Sequence, residues 1–454
     1  YGERLEDIGM FKRKDLRKAE NLKPTFRAIR NYLAANAIGI TRDEVFASQL
    51  INLIFCKIYD ERFTKPDDTV KFRAGVNESE EDIYNRILTL FDRVKHQYND
   101  VIEVSDSILL DSRSIKYIVG ELQLYSLKDS SRDAVGDAFE IFIGPSLKGA
   151  QGQFFTPRNV VNMVIRMIDP GIDERILDPA CGSGGFLVES LRYVWNKLEE
   201  KAADLGWPES EIEAEKQRIA IKNLRGIDKD SFLSKVAKAY LAILGDGRGG
   251  IHCENSLESF RNWSAKTFED IQPESFDVIV TNPPFGKKLS IDSTEILELY
   301  DLGHRWNSVP GGVFEKGALA DKQPPQLLFI ERCFQMLRPG GRMGIVLLES
   351  IFGMPKYQYV VNYIRLQAKI NAIVTLPEDL FQPHTHAKCC VLICQKYKKN
   401  ESYSSCDNYD IFMSDVKWCG HDSRGNITYS YTSTGEKVVL DEIPLVADRY
   451  LEMR

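Results

Sequence analysis

Two clusters in this chain combine residue types and order that suit a group transfer. The first is Asn282-Pro283-Pro284-Phe285, just after the apolar run Phe276-Asp277-Val278-Ile279-Val280. A short apolar run of this kind reads as a buried strand, so the tetrapeptide stands at a strand mouth. An amine on a heteroaromatic ring is a poor nucleophile because its lone pair is delocalised into the ring. The Asn282 side-chain oxygen and the Pro283 carbonyl can each accept one hydrogen bond from such an amine. That draws the nitrogen toward tetrahedral geometry and frees the pair for attack. Pro283 and Pro284 fix the backbone so that the carbonyl points outward, and Phe285 is placed to stack on the ring. The plainer alternative is a strand terminator with no chemistry.

The second cluster lies upstream: Asp178-Pro179-Ala180-Cys181-Gly182-Ser183-Gly184-Gly185-Phe186. Its glycines allow backbone to approach a ligand closely, and a helix N-terminus follows. No Lys-Ser/Thr follows, so it is not a Walker loop, and it lacks the third glycine of the dinucleotide fingerprint. Taken alone, it is equally a structural turn. Gly226-Ile227-Asp228-Lys229-Asp230 adds a carboxylate at the end of the next strand. Asp228 suits both hydroxyls of a ribose; a solvated loop aspartate is the competing reading. Its separation from Asp178 exceeds the about 20 residues of a short dinucleotide unit, and the charged insertion at 199–216 fills the difference. Asn255, in Glu254-Asn255-Ser256-Leu257, is either an adenine partner or a turn residue. Further upstream, Gly152-Gln153-Phe154-Phe155-Thr156-Pro157-Arg158 gives Thr156 as N-cap and Pro157 as first helical residue. Phe154 and Phe155 are left to wall a ligand. Together the clusters imply a methyl donor site and an amine acceptor site on one sheet, with rate supplied by alignment. A base inside a duplex must flip out to reach such a pocket.

The elements that must position these residues follow from the pattern. From Gly152 onward, strands alternate with helices, as in a parallel sheet. Strands end at Leu177, Ile227, Val280, Leu348 and Leu376, and helices are expected over Phe186–Leu198, Ser231–Leu244, Gln326–Met336 and Tyr357–Leu366. Ala372–Leu376 and Lys388–Cys394 suggest a hairpin with an antiparallel last strand. Glu199–Lys216 reads as a helix extension and Gly286–Gln323 as a long functional or irregular loop. Residues 24 to about 145 read as helical: a capping box at Thr41-Arg42-Asp43-Glu44, a helix from Ser79 burying Ile83, Ile87, Leu90, Phe91 and Val94, and a further helix over Asp133–Phe142. Thr64–Asn77 reads as a surface loop. The expected division is a helical domain at 1–145, a catalytic domain at 146–400 and an extension at 401–454 that is truncated from a longer fused chain.

Composition bounds the class. The chain has 454 residues, 43% hydrophobic and 28% charged, enough for two or three folded cores. No run is long enough to span a bilayer. Nine scattered cysteines without a C-x-x-C pair fit the reduced thiols of a cytoplasmic protein. Six histidines in no ligand spacing argue against structural zinc, and no metal site is expected. Net charge is −7, although the first thirty residues hold nine Lys/Arg against five Asp/Glu. A protein that gripped DNA alone would usually carry excess positive charge, so a partner is expected to share that task.

The ordered set Gly-Gln-Phe-Phe-Thr-Pro-Arg, Asp-Pro-Ala-Cys-Gly-Ser-Gly-Gly-Phe, Gly-Ile-Asp and Asn-Pro-Pro-Phe resembles the N6-adenine DNA methyltransferases. More narrowly, it is similar to the modification subunit of type I restriction–modification systems, over about residues 20 to 400. The resemblance implies a Rossmann-like α/β sheet behind an all-helical domain, S-adenosylmethionine as methyl donor, and adenine in double-stranded DNA as acceptor. It implies donor contacts from Gln153, Phe154, Phe155, Thr156, Pro157 and Arg158, from Asp178, Ala180, Gly182, Ser183, Gly184 and Gly185, and from Asp228. Asn282, Pro283, Pro284 and Phe285 match the catalytic tetrapeptide. Asn255 stands where the family often has an acid. Partners implied are a specificity subunit or fused target-recognition domain, and a restriction subunit. Two rivals remain: a non-catalytic subunit that binds the donor for assembly, and a methyltransferase acting on RNA or a protein glutamine.

Overall fold

The computed structural model describes residues 10–37, 42–99, 101–128, 156–245, 250–285, 289–310, 313–382, 385–403, 409–432 and 434–454. It divides into two compact units, residues 1–149 with 238–249, and residues 150–237 with 250–454.

The first unit is helical. Helix α1 (Lys23–Asn36) buries Phe26, Ile29 and Leu33 on one face. Helix α2 (Asp43–Phe63) buries residues all round, including Leu50, Ile51, Leu53 and Ile54, and so forms the centre of the unit. Its start differs from the expected capping box: Arg42 holds the N-cap position without a side-chain cap, and Thr41 lies outside the described residues. Helix α3 (Glu80–Gln97) buries the five expected apolar residues, and Ser79 caps it by accepting from the Asp82 N–H at 3.1 Å. Helix α4 (Ser112–Leu122), capped by Asp111, buries Ile115, Ile118, Val119 and Leu122 at helical spacing. The stretch 64–77 forms no helix or strand, but its Val70 and Phe72 are buried. Asp60 pins it by accepting from the Lys71 and Phe72 N–H groups. The helix expected over Asp133–Phe142 lies outside the described residues.

The second unit is built on one sheet. In chain order come α5 (Arg158–Ile168), β1 (Ile176–Asp178), α6 (Gly185–Leu205), α7 (Glu209–Lys222), β2 (Leu224–Asp228), α8 (Ser231–Gly245), β3 (Ile251–Cys253), β4 (Phe276–Thr281), α9 (Pro325–Met336), β5 (Leu337–Leu348), α10 (Gln358–Gln367), β6 (Ala368–Thr375), β7 (Cys389–Lys396), β8 (Phe412–Asp415) and α11 (Ile443–Met453). The sheet order is β8-β6-β7-β5-β4-β1-β2-β3. Only β7 runs against the rest, pairing antiparallel with β5 and β6, as the hairpin pattern implied. The order reverses between β1 and β4, and such a switch point leaves a crevice at the carboxyl ends of the strands.

Three expectations change. The charged segment 199–216 does not simply extend one helix: α6 ends at Gly206, which adopts a left-handed φ of 68°, and α7 starts after Pro208. The segment after Phe285 is not irregular throughout. It holds a short helix, Thr294–Leu297, and an antiparallel ribbon of His304–Val309 with Val313–Leu319. Trp306 of that ribbon stacks on Tyr359 at 6.0 Å between ring centres. Finally, the residues after 400 belong to the same unit as the sheet. Strand β8 extends its edge beside β6. Helix α11 is tied to α5 by the Arg166–Asp448 ion pair, and nearby Asn159 donates to Asp441 at 2.9 Å.

Candidate active site

The crevice predicted by the topology is present. A cavity of about 160 Å³ opens at the carboxyl ends of β1 to β4. Its walls include Ala180 and Gly182 after β1, Asp228 at the end of β2, Asn255 after β3, and all of Asn282 to Phe285 after β4. Two segments distant in the sequence thus meet in one space.

The β1 turn is shaped from within. Gly182 and Gly184 take left-handed φ values of 53° and 87°, a region that favours glycine. At Gly184 a Cβ would also lie 3.2 Å from the Ala237 Cβ on α8. The Gly182 N–H donates to Asp228 Oδ2 at 2.9 Å, and the Asp230 N–H donates to Oδ1 at 2.9 Å. These bonds hold the Asp228 carboxylate at the cavity rim, while burial raises its pKa above the usual carboxylate range. Asp178 lies beneath the turn, 1% exposed, accepting from the Ala180 N–H at 3.1 Å. Burial pushes its carboxyl up to about 7; the neighbouring Thr281 hydroxyl and the Ala180 N–H hold the shift back, and Asp228 adds to it. Ser256 closes the turn onto the β3 loop by donating to the Pro179 carbonyl at 2.5 Å.

Asn255 is held as a turn residue. Its Oδ1 accepts from the Leu257 N–H at 3.1 Å, and its Nδ2 donates to Glu258 at 3.2 Å. It also lines the cavity.

Asn282 Nδ2 donates to Thr156 Oγ1 at 3.0 Å. Its Oδ1 is buried and has no hydrogen-bond partner among the described residues. An unmet buried acceptor costs stability, and persists most readily where a ligand supplies the donor. Thr156 therefore orients the Asn282 amide instead of capping α5, whose N-cap is Pro157 with Arg158 as first helical residue. Phe285 is 3% exposed and packs edge-on to Phe381 at 5.7 Å, presenting only part of its ring to the cavity.

The remaining expected residues stand further back. Ser183, Gly184 and Gly185 form the rear of the turn, and Thr156, Pro157 and Arg158 are not among the lining residues. Arg158 pairs with Glu189 at 3.0 Å, and Glu189 also binds Arg192 at 2.7 Å, joining α5 to α6. Gln153, Phe154 and Phe155 lie outside the described residues. Sequence reasoning missed Lys229, Leu233, Leu257, Ile291 and Phe329, all in the wall. Phe329 had a usable signal, since it follows Pro325 by one helical turn on the same face. Ile291 had none, because its segment shows no periodicity. No cluster suited to a metal ion occurs among the described residues.

A mostly parallel sheet with one reversed strand, and a cavity at its switch point, defines a doubly wound α/β class whose ligand site lies at the carboxyl ends of the strands. Within that class the chain belongs to the N-6 DNA methylase family, whose match covers residues 130–426. It is similar to the type I restriction enzyme EcoEI methylase subunit of Escherichia coli, at 24% identity over 72% of this chain and 63% of that one. It is similar also to the type I restriction enzyme MjaVII methylase subunit of Methanocaldococcus jannaschii, at 27% identity over 78% of this chain and 56% of that one. The chain thus spans less than two thirds of the length of these relatives. The fold matches the crystal structure of a type I restriction-modification system methyltransferase subunit from Streptococcus thermophilus, with TM-score 0.60 and 15% identity, over 95% of this chain and 93% of that one.

Proposed function

We propose that this chain transfers a methyl group from S-adenosylmethionine to the N6 amine of an adenine flipped out of double-stranded DNA, as the modification subunit of a restriction–modification system. The observation that carries the reading is the buried, unmet Asn282 Oδ1 in a cavity shared with the Asp228 carboxylate and the β1 turn.

The residues present suit the donor. Asp228, fixed by two backbone N–H groups with lone pairs to spare, accepts from ribose hydroxyls. Gly182 and Ala180 offer backbone without bulk, and Leu233, Leu257 and Asn255 offer a wall for the base. When bound, the donor supplies an electrophilic methyl on a sulfonium. The chain's task is then positional: Asn282 Oδ1 and the Pro283 carbonyl accept the two N–H bonds of the amine and turn its lone pair outward. Thr156 restrains the Asn282 amide by occupying its nitrogen. Once the nitrogen becomes cationic its proton leaves readily, so no strong base is required. Alignment supplies most of the rate.

Net charge of −7 makes the chain a weak phosphate binder by itself, which favours work alongside a specificity subunit or fused recognition domain, with a restriction subunit as further partner, in the cytoplasm. No described helix is long and apolar enough to cross a membrane.

Calorimetric titration tests the donor assignment. The chain should bind S-adenosylmethionine, and Asp228→Ala should weaken binding by about tenfold to a hundredfold. Equal affinity of variant and wild type would remove Asp228 from the donor site.

A further inference from the structure

Arg332 on α9 heads the fully buried side chains by size among the described residues, at 1% exposure. Its Nε donates to the Tyr300 hydroxyl oxygen at 2.9 Å, and its Nη2 donates to the Glu258 carbonyl at 2.8 Å and, more weakly, to that of Leu257 at 3.4 Å. Tyr300 in turn donates its hydroxyl to the Leu257 carbonyl at 2.8 Å. The guanidinium carbon sits 4.3 Å from the Phe260 ring centre and 5.1 Å from that of Tyr300. Its charge is therefore met by carbonyls, a phenol and two ring faces. An apolar side chain of similar volume would often serve the fold as well or better. What the arginine adds is direction: a rigid fork that holds particular carbonyls in place.

The Leu257 carbonyl belongs to the cavity's β3 wall, which Asn255, Ser256 and Leu257 line, and that of Glu258 follows it directly in the chain. Tyr300 belongs to the other wall, the segment that contributes Leu289 and Ile291. Leu257, Leu297, Tyr300, Leu328 and Phe329 share one small buried core, with Ala180 and Ile291 packed against it. Glu331, the neighbour of Arg332, holds the same second wall by accepting from the Asp301 and Leu302 N–H groups at 3.0 and 2.8 Å.

We propose that Arg332 and Tyr300 are positioning residues for the transfer. They form a buried clasp that keeps the Asn255–Leu257 wall in register with the 289–302 segment, so that donor and acceptor meet in one geometry. The proposal rests on the donor-binding reading above. Neither side chain touches the reacting atoms; both act through the Leu257 and Glu258 carbonyls.

The test uses the full chain and S-adenosylhomocysteine as probe, read by calorimetry, with turnover measured in the assembled enzyme. Tyr300→Phe keeps the ring packing and removes only the hydroxyl. It should weaken probe binding and raise the KM for S-adenosylmethionine by about tenfold, alongside a fall in melting temperature from the unpaired Arg332 Nε. Arg332→Met should do at least as much, and the double variant little more than the worse single, because both side chains work on one carbonyl. Rescue by Arg332→Lys should be poor, since an ammonium lacks the fork and the stacking plane. Probe affinity and KM in Tyr300→Phe and Arg332→Met within about twofold of wild type, with any change confined to melting temperature, would overturn the clasp. A wild-type chain that fails to bind the probe would instead overturn the functional reading itself.

Discussion

Asn282 commits its nitrogen to Thr156 and leaves its oxygen buried and unmet. Asn282→Ala removes that acceptor. It should lower kcat by about 10²- to 10³-fold, the range for deleting one preorganised polar group at a reacting centre, while donor affinity changes little; single-turnover kinetics with saturating DNA separates the two. Thr156→Val leaves Asn282 in place but frees its amide to turn. It should lower kcat by about tenfold, with an unchanged melting curve. Asp178 gives a pH signature. Its folded pKa, pushed up to about 7, lies above the usual carboxylate range. The native chain therefore binds more protons than the unfolded one between those values. Its contribution to stability is favourable at low pH and is lost as pH rises toward about 7. Asp178→Asn stays neutral throughout. Relative to wild type, the variant should gain in melting temperature between pH 5 and pH 8; a flat difference would mean that Asp178 is charged in the fold at both ends. The type and order of these residues are legible without coordinates. They do not show that Thr156 serves Asn282 and not a helix end, because that depends on a contact across two elements.

Among the elements, turns with forced geometry were easy to read and packing partners were not. The Gly182–Gly185 turn was legible because only glycine suits its backbone. That Gly184 also yields to Ala237 was invisible before α8 was placed. Gly184→Ala meets both a φ of 87° and a Cβ contact of 3.2 Å. It should cost about 1–3 kcal/mol of stability and weaken donor binding, measurable by denaturation and calorimetry on one preparation. Helix α2 carries Phe46, Leu50, Leu53 and Ile54 at helical spacing, yet it buries every face, with Lys57 and Glu61 paired at 3.0 Å and each 1% exposed. Glu61 also accepts from the Ser126 hydroxyl and from the Leu127 and Lys128 N–H groups. Glu61→Ala leaves a buried ammonium unpaired and should cost about 3–5 kcal/mol in denaturant unfolding, whereas Lys57→Met with Glu61→Leu together should cost less. The ribbon of His304–Val309 and Val313–Leu319 escaped detection because its strands are largely exposed and mix polar and apolar residues without strict alternation, so the period-2 signal is weak.

At the scale of the whole molecule, alternation of strands and helices revealed the parallel sheet, and the hairpin pattern revealed its reversed strand. The short strand β3 was missed; three residues carry little periodicity. The sheet order then explains why Asp178–Gly185 and Asn282–Phe285 meet: β1 and β4 are neighbours at the switch point although Asp228 and Asn255 lie between them in sequence. The central claim is that a base amine is methylated in the space between these two loops. Its most direct measurement is mass spectrometry of nucleosides from unmodified duplex DNA incubated with S-adenosylmethionine and the chain assembled with its partner subunits. N6-methyldeoxyadenosine should appear with wild type and be lost with Asn282→Ala. Its absence with wild type, or equal amounts from both proteins, would contradict the account.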